Sequence, residues 1–346
     1  MGDYSNKEEK TIIRLAASLI IFQKQLDKDG YEILMMKRAD TTSFKSATVF
    51  PGGALDKVDD LDYWKEFEFV KKIKTDEDKK QTSLKLTAIR ETFEEAGILI
   101  TKPQLSLADS EVKEWREKLE ENSANFIELC KYYKVNPDVD SLYYVSHWMP
   151  PKMIKKKFST YFFAYLSPNP VNFHLPNTAG SQRELTGLEY NTPDNWIKLQ
   201  LEEIIFFPPQ FYLCSILAQS FPTWDSIELH MNTIPTSSYE SMIPQFQAID
   251  DTQVNLPELG INPRSCDAIL YHIYPGDFQY NKNLSKVDYG PISGTRSLNV
   301  NVKYHRILCV AEGGHLRSIK LITNLKPFDG RYLAYEDANS KSVTKL

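Results

Sequence analysis

Cysteine and histidine are scarce in this sequence, and neither is spaced as in a metal site. The 346 residues include four cysteines and six histidines. The cysteines lie far apart, at Cys130, Cys214, Cys266 and Cys309. A zinc site is typically marked by a C-x-x-C pair, and a small disulfide scaffold has many more cysteines. Because H-x-H and H-E-x-x-H spacings are also absent, zinc-dependent hydrolysis is not predicted.

Serine-hydrolase chemistry has no support in the sequence either. The nucleophile motif G-x-S-x-G does not occur, although it marks the strained turn that exposes a catalytic serine. His147 stands beside Trp148 at the end of a predicted strand. We therefore expect this histidine to pack within the fold rather than to act in catalysis.

No apolar run is long enough to cross a membrane. The first such run covers only residues 15–22, whereas a spanning helix needs about 20 apolar residues. Residues 1–10 are polar and charged, which is not typical of a signal peptide. We expect a soluble, intracellular protein with no membrane partner. The final residues 344–346, Thr-Lys-Leu, are similar to the peroxisomal S-K-L signal, so a peroxisomal location stands beside a cytoplasmic or mitochondrial one.

A strong excess of one charge is missing as well. The formal net charge is -5, with Lys and Arg interspersed among Asp and Glu. Without a strong basic patch, nucleic acid is not an expected partner. A small phosphate-bearing ligand would have to be held by a metal ion or by local basic groups, because the overall charge slightly repels anions.

Apolar runs and turn signals predict alternating strands and helices. Residues 15–22 and 31–37 are predicted to form a hairpin, because the turn-forming sequence DKDG lies between them. Residues 56–80 are densely charged and predict a partly helical excursion beside the main fold. Residues 84–96 predict a helix that ends at Gly97. Further predictions are a helix at 111–133, strands at 143–148 and 158–166, and helices at 196–207 and 210–219. This alternation favours an α/β layered fold.

Three glutamates come together on the helix predicted at 84–96. One side of that helix carries an apolar stripe formed by Leu86, Ile89, Phe93 and Ala96. Glu91, Glu94 and Glu95 fall on the opposite side, where like-charged neighbours cost about 0.2–0.5 kcal/mol per pair. A divalent cation would reverse this penalty, because Mg²⁺ prefers carboxylate and phosphate oxygens. The alternative is a solvated acidic face, which the wider pattern from Arg90 to Ile98 disfavours.

The sequence RETFEEAGI, residues 90–98, resembles the second half of the Nudix box, G-x5-E-x7-R-E-U-x-E-E-x-G-U with U apolar. Residues 50–53, FPGG, resemble its beginning. The resemblance implies an α/β/α Nudix sandwich with a mixed sheet. It also implies metal-dependent hydrolysis of a diphosphate linkage in a small, nucleotide-derived substrate.

The same resemblance assigns roles to single residues. It implies that Glu91 and Glu95 bind Mg²⁺ or Mn²⁺, and that Glu94 is a further metal ligand or positions water. It implies that Arg90 orients these carboxylates through charge-assisted hydrogen bonds. The residues predicted to bind the substrate are Gly52, Gly53 and Arg38.

Two positions depart from the standard box. Gly53 and Arg90 are 37 positions apart where the motif needs 14, so 23 extra residues interrupt it. The isolated glutamate of the box therefore has no clear counterpart. Counting forward from Gly53 reaches Asp59, and counting back from Arg90 reaches Thr82. In addition, Thr92 occupies a position that is usually apolar.

The interruption resembles the Nudix branch that contains the peroxisomal acyl-coenzyme A diphosphatase. Further sequences that carry this resemblance are LMMKR at 34–38, Phe44, VFPGG at 49–53, WMP at 148–150, FSTYFF at 158–163, Trp196, FPP at 207–209 and YPGD at 274–277. The branch implies coenzyme A or an acyl ester as the substrate. Cationic candidates for its 3′-phosphate are Arg38, Lys45 and the lysine run at 155–157. ADP-ribose or a dinucleotide is the alternative substrate, and a catalytically silent Nudix-fold binding module is the alternative of another class.

The predicted organisation is a Nudix domain at residues 10–220 followed by a C-terminal extension at 221–346. The Nudix domain would carry helical insertions at about 54–82 and 103–140. Glu184 and Glu189 follow the predicted strands, and we expect each either to assist the site or to be solvated.

Overall fold

A computed structural model describes residues 13–38, 47–150, 157–167, 169, 185–202, 204–233, 241–249, 268–281, 303–312 and 315–325. The α-helices are α1 Asp76–Ala96, α2 Asp109–Glu121, α3 Asn125–Tyr133, α4 Pro193–Glu202, α5 Pro208–Ser220 and α6 Trp224–Thr233. The strands are β1 Ile13–Lys24, β2 Tyr31–Arg38, β3 Thr48–Val49, β4 Gly52–Ala54, β5 Thr101–Lys102, β6 Asn136–Pro137, β7 Leu142–Trp148, β8 Lys157–Ser167, β9 Leu185–Asn191, β10 Gln245–Ile249, β11 Ala268–Ile273, β12 His305–Glu312 and β13 His315–Thr323.

The main sheet has seven strands and contains both parallel and antiparallel pairs. Its longest pair joins β1 and β8 in parallel, from Ile13 opposite Lys157 to Gln23 opposite Ser167. Strand β2 pairs with β1 in the predicted hairpin, while β7 pairs antiparallel with β8. Strand β4 adds to β1, and β3 and β9 add to β2. The predicted hairpin and mixed sheet are therefore confirmed.

Strand β1 is buried on both faces, because helices cover each side of the sheet. Leu19 lies in a core that includes Phe93 of α1. Ile20, the next residue, lies in a second core that includes Phe211 of α5. This alternation follows the two-residue period of a strand, and burial of both faces explains why the middle of the strand, residues 15–22, is almost entirely apolar. The predicted α/β/α arrangement is confirmed.

Helix α1 begins at Asp76 rather than at residue 84. A capping box starts it: the Thr75 hydroxyl accepts a hydrogen bond from the Asp78 amide, and the Asp78 carboxylate accepts one from the Thr75 amide. The highly charged first turns lack the apolar periodicity on which the prediction depended. The predicted end is confirmed, because the chain leaves the helix at Gly97 with φ 70°, in the left-handed region that favours glycine.

The charged segment before α1 packs into the core, whereas the sequence predicted an excursion beside the main fold. It forms three short 3-10 helices, Lys57–Asp59, Leu61–Trp64 and Glu68–Lys72. Trp64 is completely buried, and its ring centroid lies 4.9 Å from that of Phe67 and 5.9 Å from that of Phe126. The charged side chains between the aromatic residues conceal this burial from sequence analysis.

The long helix predicted at residues 111–133 is two helices, α2 and α3. The break falls at Asn122, whose backbone is extended and whose side-chain oxygen accepts a hydrogen bond from the Ala124 amide at 3.0 Å. Asparagine commonly competes with helical hydrogen bonding in this way. Both helices nevertheless contribute to the core with α1, through Leu119 and Phe126 among others.

A regular antiparallel sheet of β10 to β13 follows α6, although the weak periodicity beyond residue 221 did not predict it. Ile307 of β12 shares the second core with Phe211 of α5. A backbone bridge also connects the two parts: the Met242 amide donates to His147 at 2.7 Å, and the Met149 amide donates to Met242 at 3.1 Å. Within the described ranges, no helix is long and apolar enough to cross a membrane.

Candidate active site

The three glutamates of the predicted site lie in the last two turns of α1. The side chains of Glu91 and Glu94 are 17% and 22% exposed, and Glu95 is also partly buried. The opposite side of the helix is fully buried in the core, as the positions of Ile89 and Phe93 show. Packing of the apolar stripe therefore fixes the direction in which the carboxylates point.

The glycine loop lies directly against these carboxylates. The amide of Gly52 donates a hydrogen bond to Glu95 Oε2 at 2.8 Å. At Gly53, a Cβ atom would lie 2.3 Å from the carboxyl carbon of Glu91, so a larger residue would displace that side chain. Gly52 itself has φ 152°, and a side chain there would also collide with the backbone of Ala17 and Ser18. Glycine thus lets the loop lie close to α1 at Gly53 and close to β1 at Gly52.

Arg90 connects the carboxylates through a buried network of charge-assisted hydrogen bonds. Its Nε and Nη2 atoms donate to the two carboxylate oxygens of Asp59 at 2.9 and 2.8 Å. Its Nη1 atom lies 2.9 Å from Glu94 Oε1 and 3.0 Å from Glu91 Oε1. Asp59 is fully buried and also accepts a hydrogen bond from the Thr87 hydroxyl at 2.9 Å. One guanidinium thus holds three carboxylates.

The two residues that counting gives for the isolated glutamate of the box have different surroundings in the structure. Counting forward from Gly53 gives Asp59, and this aspartate is the residue that pairs with Arg90. Thr82, which counting backward gives, lies within α1. The 23 additional residues therefore follow the paired carboxylate and do not separate it from the glycine loop.

Burial raises the pKa of all three glutamates. For Glu91, desolvation is the largest cause, and Arg90 opposes it. For Glu95, desolvation is again the largest cause, followed by the negative charge of Glu91. Desolvation also raises the pKa of Glu94, against the charge of Arg90. These shifts follow from burial of neighbouring carboxylates, and a bound cation would lower them.

Arg38, at the end of β2, lies close enough to Glu95 for its positive charge to lower the pKa of that carboxyl. The structure thus brings Arg38, Gly52 and Gly53 together with the three glutamates. Several other residues that the sequence analysis named as candidates cannot be compared with this site. Lys45, Phe44, Lys155, Glu184 and residues 344–346 lie outside the described residues.

The donors at this site fit a hard divalent cation. Glu91 and Glu95 offer carboxylate oxygens, which Mg²⁺ and Mn²⁺ prefer, and Glu94 has Arg90 as a hydrogen-bond partner. In the part of the chain that the structure describes, no three His, Cys, Asp or Glu side chains are arranged to hold a metal by themselves. Two protein carboxylates are nevertheless consistent with Mg²⁺ sites, which commonly complete the coordination with water and substrate phosphates.

The structure also shows the surroundings of His147 and Glu189, two further residues considered in the sequence analysis. His147 is buried, contacts the hydroxyls of Ser159 at 2.6 Å and Ser241 at 2.8 Å, and stacks on Tyr161. Burial lowers its pKa to about 4, so the ring is neutral near pH 7, and the expected packing role is confirmed. Glu189 is exposed on β9.

Arg116 contacts the backbone of the candidate site, and no motif in the sequence predicted this contact. Arg116 of α2 donates hydrogen bonds to the backbone carbonyls of Glu94 and Glu95, at 2.8 and 3.0 Å. It stands more than twenty positions after them and matches no position of the box. Only the packing of α2 against α1 brings it there.

Comparison with known proteins agrees with this geometry. Residues 69–217 match the NUDT19 Nudix domain. The acyl-coenzyme A diphosphatase NUDT19 of Xenopus laevis is 27% identical over 302 residues, which cover 74% of this chain and 73% of that protein. Its Homo sapiens namesake is 25% identical over 230 residues, which cover 53% of this chain and 60% of the human protein.

A solved structure supports the fold independently. The crystal structure of a NUDIX hydrolase from Alicyclobacillus acidocaldarius superimposes with a TM-score of 0.50 at 22% sequence identity. The match covers 66% of this chain and 100% of that one. The matched domain and this common fold thus show that the chain has a Nudix fold, and that residues 69–217 are similar to the Nudix domain of NUDT19.

Proposed function

We propose that this chain hydrolyses the diphosphate linkage of coenzyme A or its acyl esters, with Mg²⁺ or Mn²⁺ as cofactor. The products would be 3′,5′-ADP and phosphopantetheine or its acyl form. The observation that carries the chemistry is the pair of partly buried carboxylates, Glu91 and Glu95, held against the glycine loop. The substrate is supported by relatives that are named acyl-coenzyme A diphosphatases.

Glu91 and Glu95 are the residues proposed to hold the cation. The Gly52 amide and the charge of Arg38 both favour the ionised form of Glu95, which is the form that binds metal. The bound cation supplies positive charge that polarises the diphosphate and helps to activate water. Arg90 keeps Glu91 in position and is itself held by Asp59.

Glu94 is the proposed proton acceptor or the residue that positions the attacking water. Its pKa is raised by burial, so the carboxyl can exchange a proton closer to neutral pH than an exposed glutamate can. Attack of the water oxygen on phosphorus breaks the bond to the bridging oxygen. The leaving phosphate then remains on the other half of the substrate.

The test is a substrate panel with purified protein and either Mg²⁺ or Mn²⁺. We would measure kcat/KM for coenzyme A, an acyl ester, 3′-dephospho-coenzyme A, ADP-ribose and a diadenosine polyphosphate, and identify the products by mass. A charge-assisted contact with the 3′-phosphate contributes roughly 1.5–3 kcal/mol. We therefore expect coenzyme A to exceed its 3′-dephospho form by a factor of about ten to a hundred.

The panel separates the reaction from the choice of substrate. Equal or faster cleavage of the 3′-dephospho form and ADP-ribose would contradict the coenzyme A proposal and leave the diphosphatase chemistry intact. Absence of cleavage of every compound with either metal would contradict the hydrolase itself and favour a catalytically silent binding module.

A peroxisomal location is a further part of this proposal. It depends on residues 344–346, Thr-Lys-Leu, which resemble a peroxisomal signal. Fluorescent fusions attached at the N-terminus, with and without these three residues, would test it. Peroxisomal fluorescence that persists without the tripeptide, or is absent with it, would contradict this role of the tripeptide.

A further inference from the structure

The end of α1 is closed by a side chain from α2. The last four carbonyls of a helix have no partner inside the helix. At α1, the Phe93 carbonyl accepts a hydrogen bond from the Gly97 amide at 2.9 Å. The next two carbonyls, those of Glu94 and Glu95, accept from Arg116 Nε at 2.8 Å and Nη2 at 3.0 Å.

The geometry of this contact requires arginine. Arg116 is only 8% exposed, and its planar guanidinium offers two donors at once, one for each of two consecutive carbonyls. A lysine in its place has a single ammonium group and lacks this fixed fork. The contact therefore restrains the backbone at the two consecutive residues Glu94 and Glu95.

The contact also has an electrostatic effect. A helix C-terminus carries roughly half a negative charge, and at α1 this charge lies beside three partly buried carboxylates. The positive charge of Arg116 offsets this negative charge at the carbonyls of Glu94 and Glu95, which lie at the end of the helix. Without the guanidinium, the last turn would combine free carbonyls, clustered carboxylates and the fraying that is usual at helix ends.

A second contact joins the pair of helices α2 and α3 to the segment that follows β4. Ser123, between α2 and α3, donates a hydrogen bond to Asp56 at 3.0 Å, three residues after Gly53. The α2–α3 unit thus contacts the end of α1 through Arg116 and the segment after β4 through Ser123.

We propose that Arg116 is a positioning residue of the metal site, which fixes the last turn of α1 so that Glu95 presents its carboxylate beside that of Glu91. This inference rests on the proposed function, because it assumes that the two glutamates bind a divalent cation. Arg116 would act through the backbone and would touch neither substrate nor metal.

The test compares Arg116→Lys and Arg116→Met with the wild-type protein and with a matched control, Lys118→Met. Lys118 lies on the same helix, but its ammonium contacts exposed Glu114 and the Trp115 ring. Binding of Mn²⁺ to the metal-free protein would be measured by the electron paramagnetic resonance signal of free Mn²⁺. Values of kcat and KM would be measured for the substrate that the wild-type protein cleaves best, at one Mn²⁺ concentration near the wild-type dissociation constant.

We expect Arg116→Met to weaken Mn²⁺ binding by about tenfold, as is typical when a residue that orients metal ligands is removed. We expect Arg116→Lys to fall between this variant and the wild type. The kcat should decrease with the loss of Mn²⁺ affinity, while KM for the substrate and all values of the control should remain within about twofold. Circular dichroism would establish that each variant is folded.

Two results would overturn the inference in different ways. Mn²⁺ affinity within twofold of wild type in the folded Arg116 variants would show that Arg116 only stabilises the fold. If Arg116→Met does not fold, Arg116→Lys, which keeps the charge but not the fork, decides the question alone. Failure of the wild-type protein itself to bind Mn²⁺ would overturn the proposed function together with this inference.

Discussion

At the scale of single residues, Arg90 determines the arrangement of charge in the candidate site. Its guanidinium binds Asp59 on one side and reaches Glu91 and Glu94 on the other. Glu95 instead accepts a hydrogen bond from the Gly52 amide. Glu91 and Glu95, the two proposed metal ligands, are therefore held by different hydrogen-bond partners, so a substitution can affect one of them without the other.

Glu91→Gln and Glu95→Gln should each reduce metal-dependent turnover at least about tenfold, because each removes a charged ligand of the proposed cation. The fold should remain intact, since glutamine has nearly the same size and both side chains point away from the apolar stripe. Glu77→Gln, at an exposed position of the same helix, is the control. Near-normal turnover of the purified double variant would contradict the assignment of these ligands.

Asp59→Asn should destabilise the protein by roughly 3 kcal/mol, because it removes the fully buried carboxylate that binds two nitrogens of Arg90. Urea unfolding followed by fluorescence would measure the change in the free energy of unfolding. Asp62→Asn is the matched control, since Asp62 pairs with Lys65 at the surface and an exposed ion pair contributes at most about 1 kcal/mol. Equal effects of the two substitutions would show that the Asp59 pair has no special role.

Thr92 occupies a box position that is usually apolar, and its surroundings in the structure predict how its replacement changes stability. The side chain is fully buried, and its hydroxyl has no hydrogen-bond partner among the described residues. Thr92→Val has the same shape without the hydroxyl, so it should stabilise the fold by about 1 kcal/mol. Loss of stability in urea would instead reveal a partner for the hydroxyl.

At the scale of elements, the sequence correctly predicted those features that depend on residues close together in the chain. The hairpin of β1 and β2 and the end of α1 at Gly97 follow from turn residues and a glycine cap, which lie within a few positions of the structures they control. The side of α1 that carries the three glutamates follows from helical spacing alone. The start of α1 at Asp76 was missed because a capping box, rather than an apolar stripe, determines it.

Long-range contacts explain the remaining differences. The segment that contains Trp64 has the composition of a surface, and its burial depends on aromatic partners such as Phe126, which is far along the chain. The contact of Arg116 with the end of α1 depends on how two helices pack. For the missing glutamate, the sequence offered both Asp59 and Thr82, and only the fold could choose between them.

Trp64 provides a direct test of whether the segment before α1 belongs to the core. Trp64→Ala should destabilise the protein by about 3–5 kcal/mol, the range for removal of a buried aromatic side chain. Tyr63→Ala is the neighbouring control, because Tyr63 is 54% exposed and should change the free energy of unfolding by less than about 0.5 kcal/mol. A small effect at Trp64, measured by urea unfolding, would restore the interpretation of the segment as an excursion.

At the scale of the whole molecule, the buried carboxylates make stability depend on pH. Burial raises the pKa of Glu95 in the folded state, so the metal-free folded protein retains a proton that the unfolded chain releases above about pH 4.5. The associated stabilisation is complete below that pH and decreases as the pH rises toward the folded-state pKa. Buried histidines with lowered pKa values, such as His305, act in the opposite direction: below about pH 6.5 the unfolded chain takes up a proton that the folded protein does not, so stability decreases as the pH falls.

The contribution of Glu95 can be isolated by difference. Relative to wild type, metal-free Glu95→Gln should gain stability on the order of 1 kcal/mol between about pH 5 and pH 8. Thermal unfolding of both proteins across this range would measure it. Addition of Mn²⁺ at pH 8 should stabilise wild type more than the variant. A difference that does not change with pH would contradict the raised pKa.

The parallel pairing of β1 with β8 has a consequence for how the protein is made. Its register joins Ile13 to Lys157, and α1, which carries the glutamates, lies between these strands in the sequence. During synthesis at about 5–20 residues per second, α1 must wait several seconds on the ribosome until β8 has emerged and the sheet beneath it can be completed. Such distant pairing is characteristic of slow folding. The helix that carries the three glutamates is therefore translated early but gains its full support late, and its apolar side remains incompletely covered for that interval.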